Sequence, residues 1–538
     1  MMNRDEIKLA AHWADIWADK VISEQGSKPE YTCASGITPS GTVHIGNFRE
    51  IISTELVYRA LCQKGCLTRF IYSWDDYDVF RKVPPNMPNQ GLLQAHLRYP
   101  IDAVPDPHNL YESYARANEV YLEKMLPLLG INPIYISQSK QYRAHTYAQG
   151  MQTALQNRDQ IIAILNKFRT KPLEEPWWPV SFFCESCHRD NTTTLNYDNQ
   201  WTVTYQCDDC KYHASVDLRE TSVAKLMWRI DWPMRWAFEQ VDFEPAGKDH
   251  HTEGGSFDTG REIVSSIYKH HAPSSFMYEF VSIKGGSGKI SSSGGEVIDL
   301  SDCLAVYQPE VVRYLFASTR PNVAFAISFD TDVLKIYEDY DKCERFYYNK
   351  PSPDDPKKLK KWAKEARIYE LSQVSGCEAM PPYQVQIRHL CTYLQIHNGD
   401  IATTIKALGA VKSEQEERLS QRCICAWNWL IKCAPEDYRF SLRTSGNPLP
   451  LNAFEWSVLR PFIALVNQMN EFEEESFAIA LYDIAKSMNI ESPTLFPVIY
   501  KVLLGKSKGP RLVSFLFVIG QQRLQTILQS YLIIEGSN

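Results

Sequence analysis

Residues 31–47 read YTCASGITPSGTVHIGN, and this stretch decides the fold. Its first five residues, YTCAS, are a short apolar run of the kind that makes a buried strand. A Gly/Pro/Ser loop follows over 36–41, and a helical pattern runs from about His44 to Leu61. The next run, LTRFIYS at 67–73, reads as a second strand that ends at Trp74, Asp75 and Asp76. Strand, loop, helix, strand is a βαβ unit, because parallel strands can be joined only by a long crossover.

The alternation extends outward from this unit. Residues 81–109 are Pro-rich and aperiodic, a long loop or insertion. A helix at 111–129, a strand at 133–137 and a helix at 142–169 resume the pattern. It breaks at 172–221, a Cys-, Trp- and Thr-rich stretch that reads as an inserted module. A helix near 223–227, a strand at 241–246, a helix at 260–270 and a strand at 275–283 lead into the Gly/Ser loop 284–295. Helical patterns dominate from Pro309. A linker-like NKPSPDDP at 349–356 introduces a last third with almost no strand signal. There is no internal repeat.

With 538 residues, 44% apolar and 22% charged, the chain has enough length for about three to four domains and is not intrinsically disordered. Thirty Pro and 25 Gly without period exclude collagen-like and low-complexity chains. The strongest apolar run, LVSFLFVI at 512–519, suits a buried helix and is too short to span a bilayer. The N-terminal MMNRDEIKLAAHWADIWADK carries four acids and no apolar signal core, so it reads as an amphipathic helix and not a secretory or transit peptide. A soluble cytoplasmic protein is expected. A net charge of −7 argues against coating nucleic acid by bulk charge. Most of the 14 Cys are expected as buried small hydrophobes.

Three polar segments sit at strand ends. In TPSGTVHIGN (38–47), Gly41 and Gly46 allow close backbone approach, and a helix N-terminus offers free N–H groups to an anion. His44 and Asn47 share one helix face. In KGGSGKISSSGG (284–295), one cation, Lys289, and three serines follow flexible glycines, which suits a lid over a triphosphate. In GKDHHTEGG (247–255), a carboxylate and imidazoles end a strand, where open α/β sheets bind ligands. Taken singly, each also fits an ordinary turn, a flexible linker or a polar loop.

Together, HIGN early, GKDH midway and KISSS late resemble the class I aminoacyl-tRNA synthetases. The neighbourhoods ASGITPSGTVHIGN, WRIDWPMRW, AGKDHHTEGGSFDTG and KISSS are similar to those of the lysyl group, over residues 31–329. Across the last third the resemblance rests on helical character and length. It implies an enzyme that activates lysine with ATP and Mg²⁺ to lysyl-adenylate and pyrophosphate, then transfers lysine to the 2′-hydroxyl of the terminal adenosine of tRNA. It implies catalytic roles for His44, Asn47 and Lys289. ATP would meet Ser40, Gly41, His44, Gly46 and Asn47 on the first loop, Gly247, Asp249 and His250 on the second, and Lys289, Ser291 and Ser292 on the third. Gly36 and Thr38 would contact the amino acid. Asn47 and Ser292 depart from the general class I pattern, which has His and Lys there; both variants look typical of the lysyl group.

Lysine needs a carboxylate for its ammonium and aromatic walls for its stem. The WRIDWPMRW segment offers Trp228, Asp231, Trp232 and Trp236, and Tyr278 and His250 complete the expected pocket, with Asp75 and Asp76 as rivals. Cys184-x-x-Cys187 and Cys207-x-x-Cys210 have the spacing of a zinc ribbon, whose four thiolates would hold one structural Zn²⁺; four unliganded cysteines are the alternative. The basic run at 357–367 and Lys506, Lys508 and Arg511 are candidate RNA-backbone contacts, or simply solvated faces.

The expected architecture is thus a Rossmann-like α/β parallel-sheet catalytic domain (1–170 and 222–298) split by a zinc-ribbon insertion (171–221). A helical connecting region (299–350) and an all-α anticodon-binding domain (351–538) containing Trp427, Trp429 and Trp456 follow. The chain is expected as a monomer with tRNA, lysine and ATP as partners and no membrane. A glutamyl or arginyl sister enzyme, or a silent zinc-ribbon RNA-binding protein, is the alternative; the latter would be expected to lose His44, Lys289 or GKDH.

Overall fold

The computed structural model describes residues 1–85, 87–285, 298–409, 413–444, 448–471 and 473–535. They form two compact units: Met1–Leu304, Pro309–Ile327 and Lys342–Ala379 in the first, the remainder in the second. Among the described residues no helix is long and apolar enough to cross a membrane.

In the first unit, β1 (Tyr31–Ile37), β2 (Thr68–Trp74) and β3 (Ile134–Ser137) form a parallel sheet in that order, with Cys33 opposite Phe70 and Tyr72 opposite Tyr135. Helix Ile45–Gln63 is the crossover between β1 and β2. Ile45, Ile52, Leu56, Val57, Ala60 and Leu61 are fully buried along it.

The inserted module holds β4 (Val180–Phe182), the antiparallel meander β5 (Thr192–Tyr197), β6 (Thr202–Cys207) and β7 (His213–Asp217), and β8 (Ala224–Leu226). β8 pairs antiparallel with β4 and closes the module at its root. The helix expected at 223–227 is therefore a strand, and the next helix starts at Trp228. The other edge of β1 is bridged in parallel by Phe243, itself bridged by Ser274. From these run the short parallel strands β9 (Ala246–Gly247) and β10 (Met277–Tyr278). The strand expected over 275–283 is thus two pieces, the second being β11 (Val281–Ile283), which pairs with β12 (Phe325–Ile327).

Two expected helices are broken. The N-terminal pattern is Arg4–Ala10 and Trp13–Gln25, separated at Ala11, which has φ of 49°, with His12 capping the second. The 142–169 pattern is divided among Gln138–Arg143, Ala148–Gln156 and Arg158–Lys167. Residues 349–356 join two helices, and the second, Pro356–Ser372, packs in the first unit through Trp362, Ala363 and Ala366 against Met2 and Ala10. Its Arg367 is fully buried, donating to both Asp15 oxygens at 2.9 and 2.7 Å and to Glu370 at 2.7 Å. The basic run is therefore not uniformly a solvated face. Lys357, Lys358, Lys360, Lys361 and Lys364 are exposed, whereas Arg367 is core.

The second unit is helical. Ala453–Asn467, Glu474–Ser487, Ser492–Leu504, Leu512–Ile519 and Gln521–Glu535 enclose a core that includes Phe462, Phe477, Leu481, Ile499 and Leu516. Trp429 is buried and donates to the Phe329 carbonyl at 3.0 Å, so it has no face for an RNA base. Lys506 is spent on the Glu436 and Arg439 carbonyls.

Candidate active site

From β1 the chain crosses to β2 on one side, and β9 proceeds to β10 on the other. Loops leaving the carboxyl ends of β1 and β9 therefore diverge, leaving the crevice in which open parallel sheets bind ligands. It opens into a cavity of about 1320 Å³. Gly36 is sterically required at its edge: a Cβ there would lie 2.7 Å from the Ser73 carbonyl oxygen and 2.9 Å from Ser73 Cβ.

One wall is the start of helix Ile45–Gln63. His44 is its N-cap, and its Nδ1 accepts from the Asn47 N–H at 3.3 Å while Asn47 Oδ1 accepts from the His44 N–H at 3.2 Å. An accepting Nδ1 leaves the proton of the neutral ring on Nε2. Ser40, His44, Gly46 and Asn47 line the cavity; Gly41 is buried and does not. Gly247, Asp249 and His250 line it from the β9 end. Burial lowers the His250 pKa, and Nδ1 is paired with Ser256 Oγ at 2.7 Å, so a neutral imidazole faces the cavity at pH 7.

Gly36, Thr38, Trp228 and Tyr278 also line the cavity. Between them sits Glu50, which accepts from Ser35 Oγ at 2.8 Å, from the Gly36 N–H at 3.2 Å and from the Tyr278 hydroxyl. Burial raises the Glu50 pKa, only partly offset by those three donors. Trp228 stacks on Trp232 with ring centroids 5.1 Å apart at 15°. Trp232 lies behind it, donating to Glu244 at 3.1 Å, and Trp236 donates to the same carboxylate at 2.6 Å.

Asp231 does not line the cavity. Tyr142 donates to its Oδ1, and Arg235 lies 3.2 Å from its Oδ2. Arg235 also donates to Asp75 and to Ser73 Oγ, both at 2.7 Å. Asp75 does line the cavity, with Asp78 and Lys225. Asp75, Asp78 and Asp231 thus share the two cations Lys225 and Arg235 in one ion-pair network, of which Asp75, Asp78 and Lys225 line the cavity. Asp76 faces away, accepting from Ser137 and Ser139. Lys289, Ser291 and Ser292 lie outside the described residues.

Glu50, Asp78, Lys225, Arg235 and Glu244 were not singled out from sequence. Only Glu50 carried a readable signal: it follows Asn47 by three on the same helix face.

Within the module, the sulfurs of Cys184, Cys187, Cys207 and Cys210 all lie within 4.8 Å of one another. Cys184 to Cys210 and Cys187 to Cys207 are each 3.6 Å. Four sulfurs about 2.3 Å from a tetrahedral Zn²⁺ would be about 3.8 Å apart, so the set fits that ion and leaves no open position. His188 and His213 are exposed and outside the set.

A helix N-terminus and an aromatic pocket holding Glu50 thus share one cavity, and the four-cysteine set belongs to the same unit. The chain is 50% identical over 524 residues to a lysine–tRNA ligase of Treponema pallidum, covering 97% of this chain and 98% of the relative. It is 50% identical over 529 residues to that of Borreliella burgdorferi, covering 97% and 99%. Against the lysine–tRNA ligase of Pyrococcus horikoshii it is 39% identical over 532 residues, covering 96% and 99%. The family model described as tRNA synthetases class I (K) matches residues 11–375, which include the whole cavity, and the chain belongs to that family.

Proposed function

We propose that this chain joins L-lysine to tRNA: lysine and ATP give lysyl-adenylate and pyrophosphate, and the lysyl group then passes to the terminal adenosine of tRNA(Lys). The observation that carries this reading is one cavity lined both by the His44 helix start and by the Glu50 carboxylate with Tyr278 and Trp228. Lysine brings two ammonium groups and one carboxylate. Glu50 and the Tyr278 hydroxyl take one ammonium, Trp228 covers the aliphatic stem, and the Glu50 carboxylate disfavours glutamate in that place. The lysine carboxylate attacks the α-phosphorus, and negative charge grows on the departing pyrophosphate. His44 Nε2–H and the Gly46 N–H at the helix start meet that charge, with Lys289 as the loop cation. Mg²⁺ arrives with ATP. A Zn²⁺ held by the four cysteines would be structural, keeping the module folded.

Another part of the cavity lining suits RNA. Arg81, Lys82 and Arg169 are exposed at its rim, beside the half-buried rings of Phe168 and Trp177. Cations with aromatic faces take a single-stranded 3′ end by phosphate contact and base stacking. We read the chain as a monomer acting in the cytoplasm, where tRNA, ATP and reduced thiols occur together. The test is charging of a total tRNA pool with labelled amino acids. Lysine alone should be esterified, and esterification of glutamate or arginine instead would replace this reading with a sister enzyme.

A further inference from the structure

We propose that Asp78 and Lys225 are positioning residues that fix the hydroxyl of Thr38 as a hydrogen-bond acceptor toward the bound amino acid, an inference that rests on reading the cavity as an amino-acid site. The three residues come from separate segments: Thr38 from the loop after β1, Asp78 from the loop after β2, Lys225 from the centre of β8. All three line the cavity. Thr38 Oγ1 donates to Asp78 Oδ2 at 2.6 Å. Asp78 Oδ1 accepts from Lys225 Nζ, which also donates to the Tyr77 carbonyl at 3.2 Å.

A hydroxyl has one proton and two lone pairs. Once that proton is committed to a carboxylate, the oxygen can only accept from a ligand, and what it selects is an N–H. A protonated Asp78 could instead donate to Thr38 and reverse this direction. Burial favours the protonated form, but Lys225, with the Thr38 hydroxyl and Arg235, outweighs it and holds the Asp78 carboxyl below its usual range. Lys225 in turn stays charged despite burial, because Asp78, Asp231 and Asp75 surround it. An ammonium is the ligand group that an acceptor paired with an ionised carboxylate recognises, and lysine carries two. Neither Asp78 nor Lys225 needs to touch substrate for this.

The test is a double-mutant cycle read by calorimetric titration of L-lysine into the full chain: unaltered, T38V, D78N and T38V/D78N. Each single substitution should weaken lysine about tenfold, the scale of one charge-assisted hydrogen bond. The double variant should be no more than about twofold weaker than T38V, because Asp78 acts through that hydroxyl. T38S, which keeps the hydroxyl, should bind within about twofold of the unaltered chain. Affinity for a non-hydrolysable ATP analogue should be unchanged throughout. Should D78N lose that affinity, the charge-balanced D78N/K225M takes its place in the cycle. Additive losses would overturn the proposal, since Asp78 would then act by charge alone. An unaffected D78N, with lysine bound normally by the unaltered chain, would overturn it as well. If the unaltered chain binds no lysine, the underlying amino-acid reading fails too.

Discussion

His44 and Asn47 cap each other: the imidazole Nδ1 accepts the Asn47 N–H at 3.3 Å, and the Asn47 amide oxygen accepts the His44 N–H at 3.2 Å. The same ring therefore has a structural nitrogen and a chemical one. Asn is a strong N-cap, so H44N keeps the helix start while removing the Nε2–H donor. H44N should melt like the unaltered chain yet form adenylate about 10²–10³-fold more slowly, the scale for loss of one preorganised donor. H44A should show the same rate loss and cost about 1 kcal/mol of stability in addition. Single-turnover adenylate formation and thermal melting separate the two. Normal turnover in H44N would leave His44 as a cap only.

Glu50 makes lysine binding depend on pH in a defined direction. Burial raises its pKa in the empty site, and an ammonium beside it favours the ionised form. Lysine should thus bind more weakly as pH falls through that raised value, with proton release on binding just above and below it. E50Q should lose the pH dependence and bind lysine at least tenfold more weakly. Calorimetry in buffers of different ionisation enthalpy measures the released proton. A pH-independent affinity in the unaltered chain would remove Glu50 from the ammonium site.

Trp228 and Trp232 should divide by role. Trp228 lines the cavity, so W228A should raise KM for lysine about tenfold or more with little change in melting. Trp232 is buried behind it and its indole satisfies Glu244, so W232A should cost about 3–5 kcal/mol of stability. Denaturant melts with steady-state kinetics check both, and the reverse pattern would exchange their places.

The cysteine set makes a composition claim. Purified protein should carry one Zn²⁺ per chain, and C184S should lose it and expose the module to protease, since binding and folding of so small a unit are one process. Cys184 follows β4 by two residues, and β8 carries Lys225, so C184S should also weaken lysine. Metal content below about half an equivalent in the unaltered protein would contradict the assignment.

What could be read from sequence follows from how local each signal is. The βαβ unit at 31–74 was legible because its periods and its Gly/Pro loop lie within one window, and the cysteine knuckles because thiolate spacing is a local constraint. β8 was not: Ala-Lys-Leu-Met favours helix, and only pairing with β4, over 40 residues away, makes it a strand. β9 and β10 are two residues each, too short for any period. In the site, Lys225 and Asp78 acquire meaning only from each other across 147 positions, and Glu50 from Tyr278 across 228. Asp231 misled for the complementary reason. Its aromatic neighbours suggested a pocket, whereas Tyr142 and Arg235 already occupy its oxygens.

The most direct test of the central claim, lysine activation in this cavity, is amino-acid-dependent ATP–pyrophosphate exchange across the twenty amino acids, run with and without tRNA. Lysine should support exchange under at least one of the two conditions, and glutamate and arginine should give no more than about a hundredth of its rate, as expected when unpaired charge is forced into the wrong pocket. Exchange driven by glutamate or arginine, or none with lysine in the presence of tRNA, would contradict the account.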